Sequence, residues 1–226
     1  MTKDHLKRIA TPRTWKIDRK ANKFVVRPHA GAHSFEFGFA LGLALRDKIG
    51  VCSTLREAQK LLNNTVVNVN GKRRRDRRDM VGLFDLISIV ASNENFEIVL
   101  AKNGKLSVRK VAGELSTHQS VARVVGKSVI KGGKIQVHLH NGRNILYAKA
   151  VKPGDSVVLS ADCKNILEVM PLKEGARVLL MRGKHTGSVG TFESAQGDLA
   201  RYVTDEKKTI ETATQYLFVV PKGWNN

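Results

Sequence analysis

Residues 54–90 read TLREAQKLLNNTVVNVNGKRRRDRRDMVGLFDLISIV. Thr54 and Glu57 have the spacing of a capping box, in which each side chain accepts a hydrogen bond from the other's backbone N–H. Leu55, Ala58, Leu61 and Leu62 then fall on one face at helical period. Arg56 and Lys60, four apart, share the opposite, solvent-facing stripe. The register changes at Val66-Val67-Asn68-Val69, which alternates like a half-buried strand. Asn70-Gly71 is a strong two-residue turn signal. Lys72, Arg73, Arg74, Arg75, Arg77 and Arg78 follow with only Asp76 among them. An apolar strand is expected over Gly82 to Val90. The stretch thus predicts helix, strand, turn, basic loop at a hairpin tip, strand.

Working outward, Phe39, Leu41, Leu43, Leu45 and Ile49 around Arg46-Asp47-Lys48 predict a preceding helix that ends at Gly50. Residues 34–91 therefore form one compact unit with its cations gathered on one face. Before it, residues 1–33 read as an extended basic arm. His5, Lys7, Arg8, Arg13, Lys16, Arg19 and Lys20 recur there without strand or helix period, broken by Pro12 and Pro28. Trp15 and Phe24 lie among them, and rings between cations can stack on bases while the cations hold phosphates.

After it, residues 92–170 predict a small β-barrel or sandwich. Phe96 to Ala101 and Leu106 to Val111 flank Asn103-Gly104; Lys134 to His140 and Asn144 to Tyr147 flank Asn141-Gly142. Ser156 to Leu159 follows a Lys-Pro-Gly-Asp turn, Ile166 to Met170 is a further strand, and Glu114 to Gln119 allows one helical turn. Residues 171–226 predict a last β module, with strands Arg177 to Met181, Ser188 to Phe192 and Tyr216 to Val220. Lys184 and His185 sit at a tip between Gly183 and Gly187, where they meet phosphate or a neighbouring protein. The fold class expected is α+β, β-rich and multi-module.

Charge narrows the function. The chain of 226 residues carries 39 Lys and Arg against 20 Asp and Glu, a net +19. Residues 1–91 hold +11 of this, residues 92–170 +6 and residues 171–226 +2. Such an excess repels itself in the folded state and is relaxed by a polyanion, most commonly nucleic acid. Cys52 and Cys163 are far apart and suggest a reducing, cytoplasmic setting. No signal peptide or membrane-spanning stretch is expected.

The sequence carries no recognisable catalytic or metal-binding constellation. His29 and His33 are four apart but flank Gly31, and His138 and His140 read as a solvated or satisfied pair, so no metal or other cofactor is expected. Gly126-Lys127-Ser128 ends like a phosphate-binding loop, but the required first glycine is Val121. No catalytic residue and no small-molecule substrate is expected.

Leu45-Arg46-Asp47, Arg56-Glu57-Ala58, Val69-Asn70-Gly71-Lys72 and Gly82 to Ile89 together resemble the S-four RNA-binding domain. His5-Leu6-Lys7-Arg8 and Arg27-Pro28-His29 resemble the small-subunit ribosomal protein four family of the archaeal and eukaryotic type, and Gly175 to Phe192 is similar to a KOW motif. The resemblance runs over essentially the whole chain in order. It implies an S-four-like helix-helix-hairpin unit, a central β domain and an SH3-like KOW barrel. It implies a structural constituent of the small ribosomal subunit, partnered by small-subunit rRNA and neighbouring small-subunit proteins. The RNA face it implies is the arm, Arg46, Arg56, Lys60 and the loop at Lys72 and Arg74. The chain departs from the family at Asn70, where Asp is usual, at Met80, where proline is common, and in its extra loop arginines. Ending at Asn226, without the long basic tail of eukaryotic members, it leans to an archaeal source. The competing readings are an RNA-modifying enzyme carrying an S-four domain, such as a pseudouridine synthase, and a KOW-containing transcription-elongation factor.

Overall fold

In the computed structural model of this chain, which describes residues 4–111, 120–160, 162–221 and 224, the N-terminal arm is folded rather than extended. β1 (Leu6–Lys7) pairs antiparallel with β2 (Phe24–Val25). Between them, single 3-10 turns at Arg8–Ala10 and Arg13–Trp15 bury Arg8 and Trp15. Trp15 is 0% exposed. Its ring meets Phe35 and Phe39 at centroid distances of 5.2 and 6.3 Å, and its Nε1–H donates to the Phe35 carbonyl at 3.1 Å. The arm expectation is corrected for a simple reason. The indole is the largest apolar group in the segment, and enclosing it offsets the entropy of fixing the chain around it.

The chain divides into two compact units, residues 1–99 with 105–118 and residues 100–104 with 119–226. In the first, β3 (Gly38–Ala40) leads into α1 (Leu41–Leu43), which continues as a π-wound turn over Ala44–Ile49. Gly50, at φ 80°, closes it, its N–H reaching the Leu45 carbonyl at 3.1 Å. The expected helix thus starts later than Phe39, which lies in the strand. α2 (Leu55–Asn64) has the full capping box at Thr54 and Glu57, with Ala58 and Leu62 buried.

β4 (Val67–Val69) and β5 (Lys72–Arg74) are joined by Asn70 and Gly71 at φ 50° and 73°, a type I′ turn. The basic run is therefore not all loop: its first three residues are a strand. The expected single strand from Gly82 to Val90 is two. β6 (Met80–Gly82) pairs with β3, while β7 (Leu86–Ile89) pairs with β4. Phe84 stands between them at φ 65°, a left-handed conformation that no continuous strand admits. β8 (Glu94–Leu100) and β9 (Leu106–Val111) complete a five-stranded sheet in the order β5-β4-β7-β8-β9. The division expected between residues 91 and 92 is crossed by this sheet, because β7 and β8 form a hairpin, Leu86 to Ile89 opposite Glu97 to Glu94. The helical turn expected at Glu114 to Gln119 lies outside the described residues.

The second unit has two five-stranded antiparallel sheets. β10 (Ser120–Val129), β11 (Ile135–Leu139), β12 (Asn144–Leu146), β13 (Ser156–Leu159) and β14 (Ile166–Met170) run in the order β12-β11-β10-β13-β14. Ala122, Val124, Val137, Leu139, Val157 and Leu159 make its core. β15 (Arg177–Leu180), β16 (Val189–Gln196), β17 (Leu199–Thr204), β18 (Thr209–Ala213) and β19 (Leu217–Val219) run β18-β17-β16-β15-β19 over Val178, Leu180, Phe192, Tyr202 and Leu217. The Val219 N–H donates to the buried Ser156 Oγ at 3.1 Å. The second unit thus also spans the division expected between residues 170 and 171.

Among the described residues no helix is long and apolar enough to cross a membrane, and no three His, Cys, Asp or Glu residues converge as metal ligands.

Candidate nucleic-acid interface

The basic face of the first unit is built on a buried polar knot. His33 Nε2–H donates to Asp85 Oδ2 at 2.8 Å, and the Asn70 amide donates to Asp85 Oδ1 at 2.7 Å. The Gly82 N–H donates to Asp85 Oδ2 at 2.9 Å, and the Leu86 N–H to Asn70 Oδ1 at 2.9 Å. Burial alone pushes both charged forms out of favour. The opposite charge and the hydrogen bonds outweigh it, so His33 titrates above its ordinary value and Asp85 below. The knot fixes the hairpin turn to the end of the arm and to the kink at Phe84. It also accounts for Asn70: an aspartate there would set a second carboxylate against Asp85.

A second brace sets the basic run. Gln59 of α2 donates from Nε2 to the Arg75 carbonyl at 2.8 Å, and its Oε1 accepts from the Arg77 N–H at 3.4 Å. Arg73 reaches the Asn63 carbonyl at 3.5 Å. Asp76 closes the turn by accepting from the Arg78 N–H at 2.8 Å. α2, β5 and the turn after it therefore present their cations together. Arg56, Lys60, Lys72, Arg73 and Arg75 are exposed, and Arg74, Arg77 and Arg78 half-buried. Arg74 lies 3.9 Å from Asp79 and Arg78 3.1 Å from Asp4. Arg56, Lys72, Arg75 and Arg77 have no side-chain hydrogen bond or ion pair among the described residues. Gln59 carries no charge and lies within an exposed helical stripe, so nothing in the sequence marked it.

The other expected contacts divide. Arg46 is gripped by its neighbour, Nε and Nη2 donating to Asp47 at 2.5 and 2.8 Å, and is largely neutralised. In the arm, His5, Lys7, Arg13, Lys16 and Lys20 are exposed, and Arg19, half-buried, donates to the Thr11 carbonyl at 3.0 Å. Arg8 is turned inward to the Asp18 carbonyl at 2.5 Å, and Trp15 is enclosed, so neither offers a free face. Phe24, 48% exposed beside His5 and Lys23, is the open ring instead. Lys48, placed by the sequence only in the helix ahead of Gly50, anchors the arm. Its ammonium donates to the carbonyls of Trp15, Lys16 and Leu106 at 2.6, 3.1 and 3.4 Å, and burial, with Lys16 nearby, brings its pKa down to about 8.

In the second unit Lys184 and His185 are exposed between Gly183 and Gly187, at φ 103° and 88°. A Cβ at Gly187 would run into the Ala101 carbonyl, so glycine is required there.

Comparison with known proteins bears on this surface. Residues 92–166 match ribosomal family S4e, and residues 2–36 match the RS4NT (NUC023) domain. The small ribosomal subunit protein eS4 of Methanocella arvoryzae is 36% identical over 227 residues, covering 98% of this chain and 96% of the relative. That of Methanococcus aeolicus is 34% identical, covering 96% and 93%, and that of Nanoarchaeum equitans 36%, covering 84% and 82%. The crystal structure of the 30S ribosomal protein S4e from Thermoplasma acidophilum superposes with a TM-score of 0.68 at 26% identity, over 82% of this chain and 96% of that one.

Proposed function

Since this chain belongs to ribosomal family S4e, we infer that it is a structural constituent of the small ribosomal subunit and binds that subunit's rRNA. Its place is then in the cytoplasm, within the subunit, among neighbouring small-subunit proteins. The observation that carries the RNA contact is the braced set of cations on α2, β5 and the following turn, several of them in no ion pair among the described residues. Their mutual repulsion is relieved when they sit among phosphates, and each contact releases condensed counterions. RNA helices that repel one another are thereby bridged and stiffened. The chain acts by shape and charge rather than by catalysis.

The finer assignments belong to the same proposal. The order α1, α2, β4, β5 supports an S-four-like RNA-binding unit over residues 34–91. The glycine-punctuated β15–β16 hairpin supports a KOW-type module over residues 171–226, whose Lys184 and His185 tip contacts RNA or a protein neighbour. The exposed arm cations extend the RNA face.

Filter binding of the full chain to a small-subunit rRNA transcript across a salt series tests the reading. Affinity is expected to fall steeply with salt, and the protein to sediment with the small subunit from cell extract. A flat salt response, or sedimentation with RNA polymerase, overturns it.

A further inference from the structure

The cations of the second unit are placed unevenly. From Ser120 to Gly154 the sequence has seven Lys and Arg residues and no Asp or Glu. Two of the seven are engaged: Arg143 donates to the carbonyls of Asp162 and Cys163 at 3.0 and 3.2 Å, and Arg123 to that of Gln215. The other five are Lys127, Lys131, Lys134, Lys149 and Lys152. All are exposed, and their side chains have no hydrogen bond or ion pair among the described residues.

The backbone puts four of them around one hairpin. β10 pairs with β13 only through Arg123 and with β11 from Val124 onward, so its outer half stands in the β10–β11–β12 part of the sheet alone. At the tip Gly132 and Gly133 take φ 86° and 71°, and a Cβ at either would meet nothing within 4 Å. Lys131 and Lys134 flank these glycines and Lys149 follows β12, whereas Lys127, in register with Val137, lies on the face of β10 opposite Ser128. Val125 and Val129 on the same strand are 63% and 73% exposed.

A polar row crosses the three strands. His138 of β11 is 2.9 Å by Nε2 from the Ser128 Oγ of β10, and 2.8 Å by Nδ1 from the Asn144 Oδ1 of β12. An amide oxygen only accepts, so Nδ1–H donates to Asn144, and in the neutral ring Nε2 accepts from the Ser128 hydroxyl. The row then has the Asn144 N–H groups and the Ser128 oxygen lone pairs to offer outward. Gly126 faces His138 in register and leaves the space above it open, its nearest neighbour being the ring at 3.9 Å.

Donor and acceptor side by side on a low-relief strip, rimmed by point charges, match one chemistry: a ribose 2′-hydroxyl, itself donor and acceptor, between phosphates. We propose that the β10–β12 face is a second RNA-contact surface of this protein, with Lys131, Lys134 and Lys149 on phosphates and the Ser128–His138–Asn144 row on ribose hydroxyls. This rests on the rRNA-binding reading and adds to it a site in the other unit.

The test uses the full chain and a small-subunit rRNA transcript. One variant carries Lys131→Ser, Lys134→Ser and Lys149→Ser; another carries serines for Arg73, Arg74, Arg75, Arg77 and Arg78. The lysine variant is expected to flatten the log–log salt slope by about two, at ~0.7–0.9 per phosphate contact. His138→Ala is expected to narrow the preference for RNA over DNA of the same sequence. If the lysine variant keeps the wild-type slope while the arginine variant loses affinity, the second surface is refuted and the rRNA reading stands. If neither variant changes binding, both fall. If the lysine variant binds rRNA normally but fails to co-assemble with purified small-subunit proteins, the face serves a protein and the proposal is overturned. Should the threefold variant melt below wild type, Lys131→Ser with Lys134→Ser, confined to the open tip, decides in its place: an unchanged slope refutes the surface.

Discussion

The two five-stranded sheets of the second unit treat charge in opposite ways. On β15–β19 cations come with acids: Arg177 lies 3.2 Å from Asp205, Arg201 2.7 Å from Glu211, and Lys208 3.0 Å from Glu206. On the β10–β12 part of the other sheet, exposed lysines stand in a stretch without any acid. Both sheets are antiparallel and both cover an apolar core, so the fold does not require the difference. The first unit repeats the contrast over a few residues, with Arg46 held by Asp47 and Arg56 in no ion pair among the described residues. An exposed pair is worth little to stability, about 0–1 kcal/mol, and largely cancels its own field. An unpaired array keeps its field and directs it at whatever polyanion approaches. The net charge of +19 is the residue of these unpaired arrays, which is why net charge by itself indicates a polyanion but not where it binds.

That distinction can be broken most sharply where a pair is buried. Asp85→Ala leaves His33 and Asn70 without their shared acceptor, and the first unit is expected to lose about 3–5 kcal/mol in denaturant unfolding. A loss near zero would mean that the knot does not hold the unit. The same pair sets a pH dependence. His33 is raised above its ordinary 6.5, so its contribution is full below that pH and is lost as pH rises through the raised value. Asp85 is lowered below its ordinary 3.8, so its contribution is full above that pH and is lost as pH falls through the lowered value. Unfolding curves of His33→Gln should therefore lack the alkaline-side decline that wild type shows.

For the basic run, whose cations are unpaired or in partly exposed pairs, the expected effect moves from stability to binding. Serine at Arg73, Arg74, Arg75, Arg77 and Arg78 should weaken rRNA binding on the order of 100-fold at moderate salt and flatten its slope, with the melting temperature unchanged. Gln59→Ala removes no charge but releases the turn from α2. A loss of ~3–10-fold in affinity with the slope unchanged is expected, the worth of one or two hydrogen bonds. An altered slope would mean that Gln59 matters through charge and not position. The smallest effect belongs to the exposed pair: Arg201→Ser with Glu211→Ser should leave both rRNA binding and stability within measurement error. A clear loss of binding there would erase the contrast between the sheets.

The elements that were legible in the sequence are those whose cause is local. Thr54 and Glu57 cap α2 across three residues, and Asn70-Gly71 turns β4 into β5 within two. β13 and β14 begin and end at the expected residues. β10, β17 and β18 were not anticipated. In β10, Arg123, Gly126, Lys127 and Ser128 interrupt the alternation, and a register shift follows Val124. The cations on α2 and β5 were legible as candidates, but Trp15 and Arg8 were assigned to RNA and are buried in the protein.

By itself, then, the sequence determined the caps, the turns, the number of cations and the stretch from which acids are missing, since each depends on neighbours a few residues apart. Only the tertiary structure decided that Gln59 braces the arginine turn, that Asp85 reaches His33 across 52 residues, and that Trp15 goes inside. These are matters of which surfaces meet, and the energy of enclosing a ring or satisfying a buried charge depends on groups that no local pattern brings together.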